Sequence, residues 1–129
     1  MSAVEFKSPR DGATLTFDVK RRWPDELEFN VAVKTPWFSG VAPATTYASG
    51  SPTAMFRAMA NEWKGWSEAK TWSDIEGRVS FSAISDVTGH IALVVELTGQ
   101  DYDSHLRVVL QYEAGQLEGM ANEIKQLLG

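Results

Sequence analysis

The period of the apolar residues switches from two to 3.6, and then does so a second time. This double switch limits what the chain can fold into more than any single residue does. Val4 and Phe6 alternate with Glu5 and Lys7, and the turn-forming run Ser8-Pro9-Arg10-Asp11-Gly12 follows. Leu15, Phe17 and Val19, then Leu27, Phe29, Val31 and Val33, alternate with polar residues in the same way. Such alternation puts one face of a strand in a core and the other in water, so three strands are predicted. Phe56, Met59, Ala60 and Trp63 then fall at i, i+3, i+4 and i+7, behind Ser51 as an N-cap and Pro52 at the first helical position. That spacing predicts a helix over 51–64 with Trp63 in the core. Gly65 reads as the left-handed stop of this helix, with Trp66 packing back on its last turn.

The second half repeats the programme. GRVSFSA (77–83), GHIALVVELTG (89–99) and HLRVVLQYE (105–113) read as strands. A helix follows, with Leu117, Met120, Ala121, Ile124, Leu127 and Leu128 on its apolar face. The expected fold class is α+β: βββα repeated twice, forming a six-stranded, mostly antiparallel sheet with two helices on one face. The expected organisation is one domain, 1–129, with an internal pseudo-repeat of residues 3–64 and 72–128. MANEWK at 59–64 and MANEIK at 120–125 match at five of six positions. Ancient duplication and convergence of two amphipathic helices both produce such a match, so common descent stays open. The run Pro36–Gly50, PWFSGVAPATTYASG, reads as a long apolar loop lying over the uncovered sheet face.

Composition bounds the chemistry. The chain has 129 residues, no cysteine and a net charge of −5. Disulfides and thiolate chemistry are therefore excluded. No run approaches the roughly 20 apolar residues of a membrane helix, and the N-terminal residues carry charges where a leader needs an apolar core. The expected location is the cytoplasm. The acidity is one-sided: residues 1–64 hold eight Lys/Arg against seven Asp/Glu, whereas residues 65–129 hold four against ten. Such a field repels nucleic-acid phosphates and favours a basic protein partner. The basic run Lys20-Arg21-Arg22 is followed at once by Asp25, Glu26 and Glu28, which reads as a solvated turn.

None of the glycine-rich phosphate loops, nucleophile elbows, HExxH helices or calcium loops is present. No cofactor, nucleotide or metal is expected, and no catalytic residue is assigned. His90 and His105 are the only groups that titrate near neutral pH, and antiparallel neighbours would place them at opposite ends of a sheet. Asp86, Gly89 and His90 form a compact DVTGH constellation that suits either a ligand or ordinary turn chemistry. Glu76 lies in the acidic segment SDIEG. Trp37, Phe38 and Trp72 are read as lining a groove between the long loop and the sheet, because aromatic residues are the usual anchors of binding surfaces. The candidate binding residues are therefore Trp37, Phe38, Trp72, Glu76, Asp86 and His90.

Trp63-x-Gly65-Trp66, Trp72-x-x-x-Glu76-Gly77, Asp86-x-x-Gly89-His90-Ile91-x-Leu93 and Gly115-Gln116-Leu117 together resemble a family of small bacterial domains of unknown function. The resemblance covers residues 60–128. It implies a stand-alone cytoplasmic protein and lends no activity. In size, charge and style the chain also resembles the immunity proteins of bacterial toxin systems, which bind basic toxin domains. The functional expectation is a non-enzymatic, immunity-like interaction domain for a basic partner. The alternative is a small-ligand-binding or hydrolytic domain with a pocket between the 36–50 loop and the sheet. A homodimer formed through the open sheet face stays open.

Overall fold

The computed structural model describes residues 2–129. Strands β1 (Ala3–Lys7), β2 (Thr14–Arg22), β3 (Leu27–Lys34) and β4 (Ser39–Thr45) precede helix α1 (Thr53–Asn61). Strands β5 (Lys70–Ser73), β6 (Val79–Ser85), β7 (His90–Thr98) and β8 (His105–Glu113) precede a 3-10 turn and helix α2 (Leu117–Leu128). The strands pair in chain order into two antiparallel sheets, β1-β2-β3-β4 and β5-β6-β7-β8. This corrects the expected six-stranded sheet of two βββα units. Each half contributes a fourth strand, and there are two sheets.

The two missed strands share a physical cause. The inward side of β4 carries Gly40, Ala42 and Ala44, so it shows no alternation of large apolar residues. At Gly40 this face runs close to the second sheet, since a Cβ there would lie 2.7 Å from Cδ2 of Leu106 in β8 and that side chain would have to shift. Pro43 is tolerated because β4 is an edge strand, which can dispense with one ladder donor. The 36–50 segment is thus a hairpin strand with its flanking turns. β5 has four residues and a single buried side chain, Trp72, too short a stretch for a period to register.

The inner faces of the two sheets share one core with the helices. Phe17 in β2 meets Phe81 in β6 at 5.7 Å between ring centroids. Phe56 of α1 packs on Phe6, Phe17 and Phe81 at 5.7, 6.1 and 6.2 Å. Offset and edge-on ring contacts of this kind add about 0.5–1.5 kcal/mol per pair beyond area burial. Arg57 bridges α1 to α2 through Glu118 and Asn122, both at 2.7 Å. The buried Tyr112 hydroxyl donates to the Phe6 carbonyl at 2.8 Å, joining β8 to β1. Burial, then the nearby charges of Asp11 and Glu5, push its phenol well above the ordinary range.

The tryptophan-rich stretch divides three ways. The Ser51 hydroxyl accepts the Thr53 N–H at 3.1 Å, but the N-cap is Pro52, so the helix begins at Thr53 and Ser51 stands one position before the cap that the sequence assigned to it. The helix stops at Asn61, however, one turn short of the predicted 64. Trp63 therefore leaves the apolar face and is 55% exposed, with Lys64 Nζ 5.5 Å from its ring. Its expected core position is corrected: the i+7 site lies beyond the helix. Trp66 is half-buried, and its indole N–H donates to the Ala83 carbonyl of β6 at 3.0 Å. Gly65, at φ 125°, brings this segment alongside Ser85 and Asp86, 3.6 Å from where a Cβ would stand. Trp72 is 8% exposed, stacked on Phe81 at 5.7 Å and bonded through its indole N–H to the Gly50 carbonyl at 3.1 Å.

Candidate functional site: an acidic cleft with aromatic walls

A cavity of about 530 Å³ opens where the end of β4 and the β2–β3 turn of the first sheet approach the β5–β6 turn of the second. The first sheet contributes Trp23, Glu26, Glu28, Thr45 and Tyr47, and the second contributes Asp74, Ile75, Glu76 and Arg78. Gln100 of the β7–β8 turn closes the lining. Trp23, Tyr47 and Ile75 are large apolar side chains left exposed. Four carboxylates, those of Glu26, Glu28, Asp74 and Glu76, face one guanidinium, that of Arg78. Carboxylates converging beside low-dielectric walls focus a negative potential.

Each wall is held by local backbone chemistry. Trp23 donates its N–H to the Glu26 carbonyl at 2.9 Å, closing a four-residue turn in which Pro24 fixes φ. A Glu26 carboxylate oxygen accepts the Thr45 hydroxyl at 3.2 Å. Thr45 Oγ1 in turn accepts the Tyr47 N–H at 3.1 Å, which sets Tyr47 at the rim. Opposite, Glu76 pairs with Arg78 at 3.0 Å and accepts the Tyr102 hydroxyl at 3.0 Å. Arg78 also donates to that hydroxyl at 2.7 Å and lies 5.0 Å from the centre of the Tyr102 ring. Its Nε is buried without a hydrogen-bond partner.

Asp74 is the unusual member. It is 5% exposed, one of two buried polar residues among those described, and it opens the β5–β6 turn. Its backbone exchanges hydrogen bonds with Val79 and Gly77, each at 3.1 Å, and its Oδ1 accepts the Val79 N–H at 3.2 Å. Among the described residues, Oδ2 accepts no hydrogen bond and Asp74 belongs to no ion pair. The buried side-chain atom left without a partner among the described residues is Arg78 Nε, whereas Oδ2 of Asp74 is open to solvent in the cleft.

The residues singled out from the sequence do not form one site. Trp37 and Phe38 sit at the β3–β4 tip, at the opposite end of that hairpin from the cleft, and Trp37 is 84% exposed. Their tip is firm: Thr35 Oγ1 accepts the N–H of Phe38 at 2.9 Å and that of Trp37 at 3.2 Å. Trp72 is buried among Phe29 and Phe81 and does not join them in a groove. Glu76 alone lines the cleft. Asp86 and His90 lie at the other end of β6, beside a second cavity of about 480 Å³ lined in part by Arg10, Gln111 and Glu113.

The Asp86 turn is internally saturated. Oδ1 of Asp86 accepts the N–H of His90 at 3.0 Å and both the N–H and the hydroxyl of Thr88 at 2.8 Å. Oδ2 lies 3.2 Å from His90 Nδ1. The His90 amide and then the Thr88 hydroxyl hold this carboxyl well below the usual carboxylate range. His90 pairs in register with Glu113 and His105 with Thr98, so the two histidines stand at opposite ends of the β7–β8 pair. No cluster of three or more His, Cys, Asp or Glu suited to a metal ion occurs among the described residues.

Residues 7–129 match the model of DUF6228, a family of unknown function. The chain belongs to this family. The resemblance carried by the Trp63-x-Gly65-Trp66 and Asp86-x-x-Gly89-His90 motifs is thereby upheld, and the match extends through most of the first half as well. No curated protein and no solved structure matches the chain. No helix among the described residues is long and apolar enough to cross a membrane. Sequence reasoning missed Trp23, Glu26, Glu28, Tyr47 and Asp74. The available signal was Trp23 itself, a large aromatic placed in a Pro-Asp-Glu turn and off every alternating face.

Proposed function

We propose that this chain is a protein-interaction domain that binds a basic partner through the acidic, aromatic-walled cleft. One observation carries the reading: Glu26, Glu28 and Glu76 converge from two sheets beside the exposed Trp23 and Tyr47. Charge of this kind steers encounter, and desolvated aromatic anchors supply residence time. Trp37 and Phe38, on a tip hydrogen-bonded to Thr35, offer a second anchoring surface. An immunity-like role, with a basic toxin domain as partner, is the form of this reading that the small acidic build favours. Cavity volume favours a second reading, a small-ligand-binding domain that uses the same cleft.

The test is affinity capture of the partner followed by binding kinetics at two salt concentrations. A basic partner is expected, with association slowed about tenfold when Glu26, Glu28 and Glu76 are all changed to Gln. Trp23→Ala and Tyr47→Ala should instead speed dissociation. An acidic partner, or an association rate indifferent to salt and to these carboxylates, would refute the reading.

A further inference from the structure

The cleft has the chemistry of a receptor for one particular group. Its most buried carboxylate, Asp74, spends Oδ1 on the Val79 amide and leaves Oδ2 without a partner. The nearest guanidinium on its own turn, that of Arg78, is directed to Glu76 and Tyr102 and makes no ion pair with Asp74. The chain therefore sets an acceptor at the cleft floor and supplies no donor for it. Above that floor stand the rim carboxylates of Glu26 and Glu28 and the exposed faces of Trp23 and Tyr47.

A complementary ligand must bring several N–H donors, a positive charge and a flat face. Ammonium is compact and strongly hydrated, and it offers no plane to stack. Guanidinium presents five donors in a fixed fork, is weakly hydrated and stacks on aromatic rings. The structure already displays the pairing once, since Arg78 of this chain lies over Tyr102 while bonded to Glu76. We infer that the cleft receives a single arginine side chain of the basic partner, its guanidinium bonded to Asp74 Oδ2 and held between Trp23, Tyr47 and the carboxylates of Glu26 and Glu28. This rests on the cleft being the binding surface for a basic partner, and it specifies how that partner is read.

The test titrates the whole chain, at low ionic strength, with N-acetyl-arginine-amide and with its neutral isostere N-acetyl-citrulline-amide, followed by amide and indole NMR shifts. The arginine probe should give saturable shifts at the Trp23 indole, Asp74 and Gly77, and the citrulline probe none. Asp74→Asn keeps an oxygen for the Val79 amide and removes the charge, so it should weaken the response at least tenfold. Glu28→Gln, a near-isosteric change at the half-buried Glu28 of β3, should weaken it severalfold and serves as the check if Asp74→Asn perturbs folding. Equal shifts from citrulline, no cleft shifts from arginine, or an undiminished response in both variants would overturn the inference. If the arginine probe fails while the captured partner still binds with salt-sensitive, cleft-dependent kinetics, the arginine inference falls alone. If that partner also ignores the cleft, the interaction reading falls with it.

Discussion

Two aspartates open successive turns of the same sheet, and they do opposite things with their oxygens. Asp86, exposed at the β6–β7 turn, has every acceptor position engaged by its own loop: two amides, one hydroxyl and the His90 ring. Asp74, buried at the β5–β6 turn, engages one oxygen and leaves the other in a cavity. In sequence the two look alike, each an Asp three residues before a glycine, in SDIEG and SDVTG. Only the fold separates them. The Asp86 carboxylate is spent on its own turn, whereas Asp74 keeps one oxygen open to the cleft.

Each turn rests on a tryptophan, and the two differ in how deeply they are buried. Trp72 is the buried residue of β5, the strand that leads to Asp74, and stacks on Phe81 of β6, so Trp72→Ala should cost about 3–5 kcal/mol, as large buried aromatic truncations do. Equilibrium urea denaturation measures this, and a midpoint within error of wild type would show that Trp72 is not part of the core. Trp66 supports the strand leading to the other turn through its bond to Ala83, but it is only half-buried. Trp66→Ala should therefore cost about 2 kcal/mol, less than Trp72→Ala, by the same assay. A reversed order would mean that the β6–β7 end carries more of the packing than its burial implies.

The third expectation concerns pH. The folded Asp86 carboxyl is held below its ordinary value of about 3.9, so the folded state prefers its ionised form. The stability it contributes is present above that value and is lost as pH falls toward the folded pKa. Asp86→Asn should lower Tm near neutrality, and the gap from wild type should close progressively below about pH 4. A gap independent of pH would show that the turn does not depend on the charge. The smallest effect on stability belongs to Asp74→Asn, which retains the acceptor for Val79 and should change the unfolding free energy from urea denaturation by under about 1 kcal/mol. A large loss would make Asp74 a structural charge and remove the contrast.

Legibility followed the size of the side chains. Six strands are legible because large apolar residues such as Leu15, Phe17, Phe29, Val31, Phe81 and Leu110 alternate on inner faces, and both helices because Phe56, Met59 and Ala60, then Leu117, Met120, Ala121 and Ile124, recur at helical spacing. β4 was not, because its inner face is Gly40, Ala42 and Ala44, small where it runs against the second sheet. Losing that strand and the four-residue β5 turned two sheets into one. Trp63 was misplaced because α1 ends at Asn61, before the period that included it is complete. Glu76 was legible as an acidic turn residue. The rest of its cleft was not, since Trp23, Glu28 and Tyr47 are brought to it by the packing of one sheet against another, a long-range fact that no local spacing encodes.

The most direct test of the contrast between the two turns sets Asp74→Asn beside Asp86→Asn in one NMR titration with N-acetyl-arginine-amide. The account predicts that Asp86→Asn binds the probe as wild type does, with the same saturable shift of the Trp23 indole, while Asp74→Asn loses at least tenfold. Equal binding by the two variants, or a loss confined to Asp86→Asn, would contradict it.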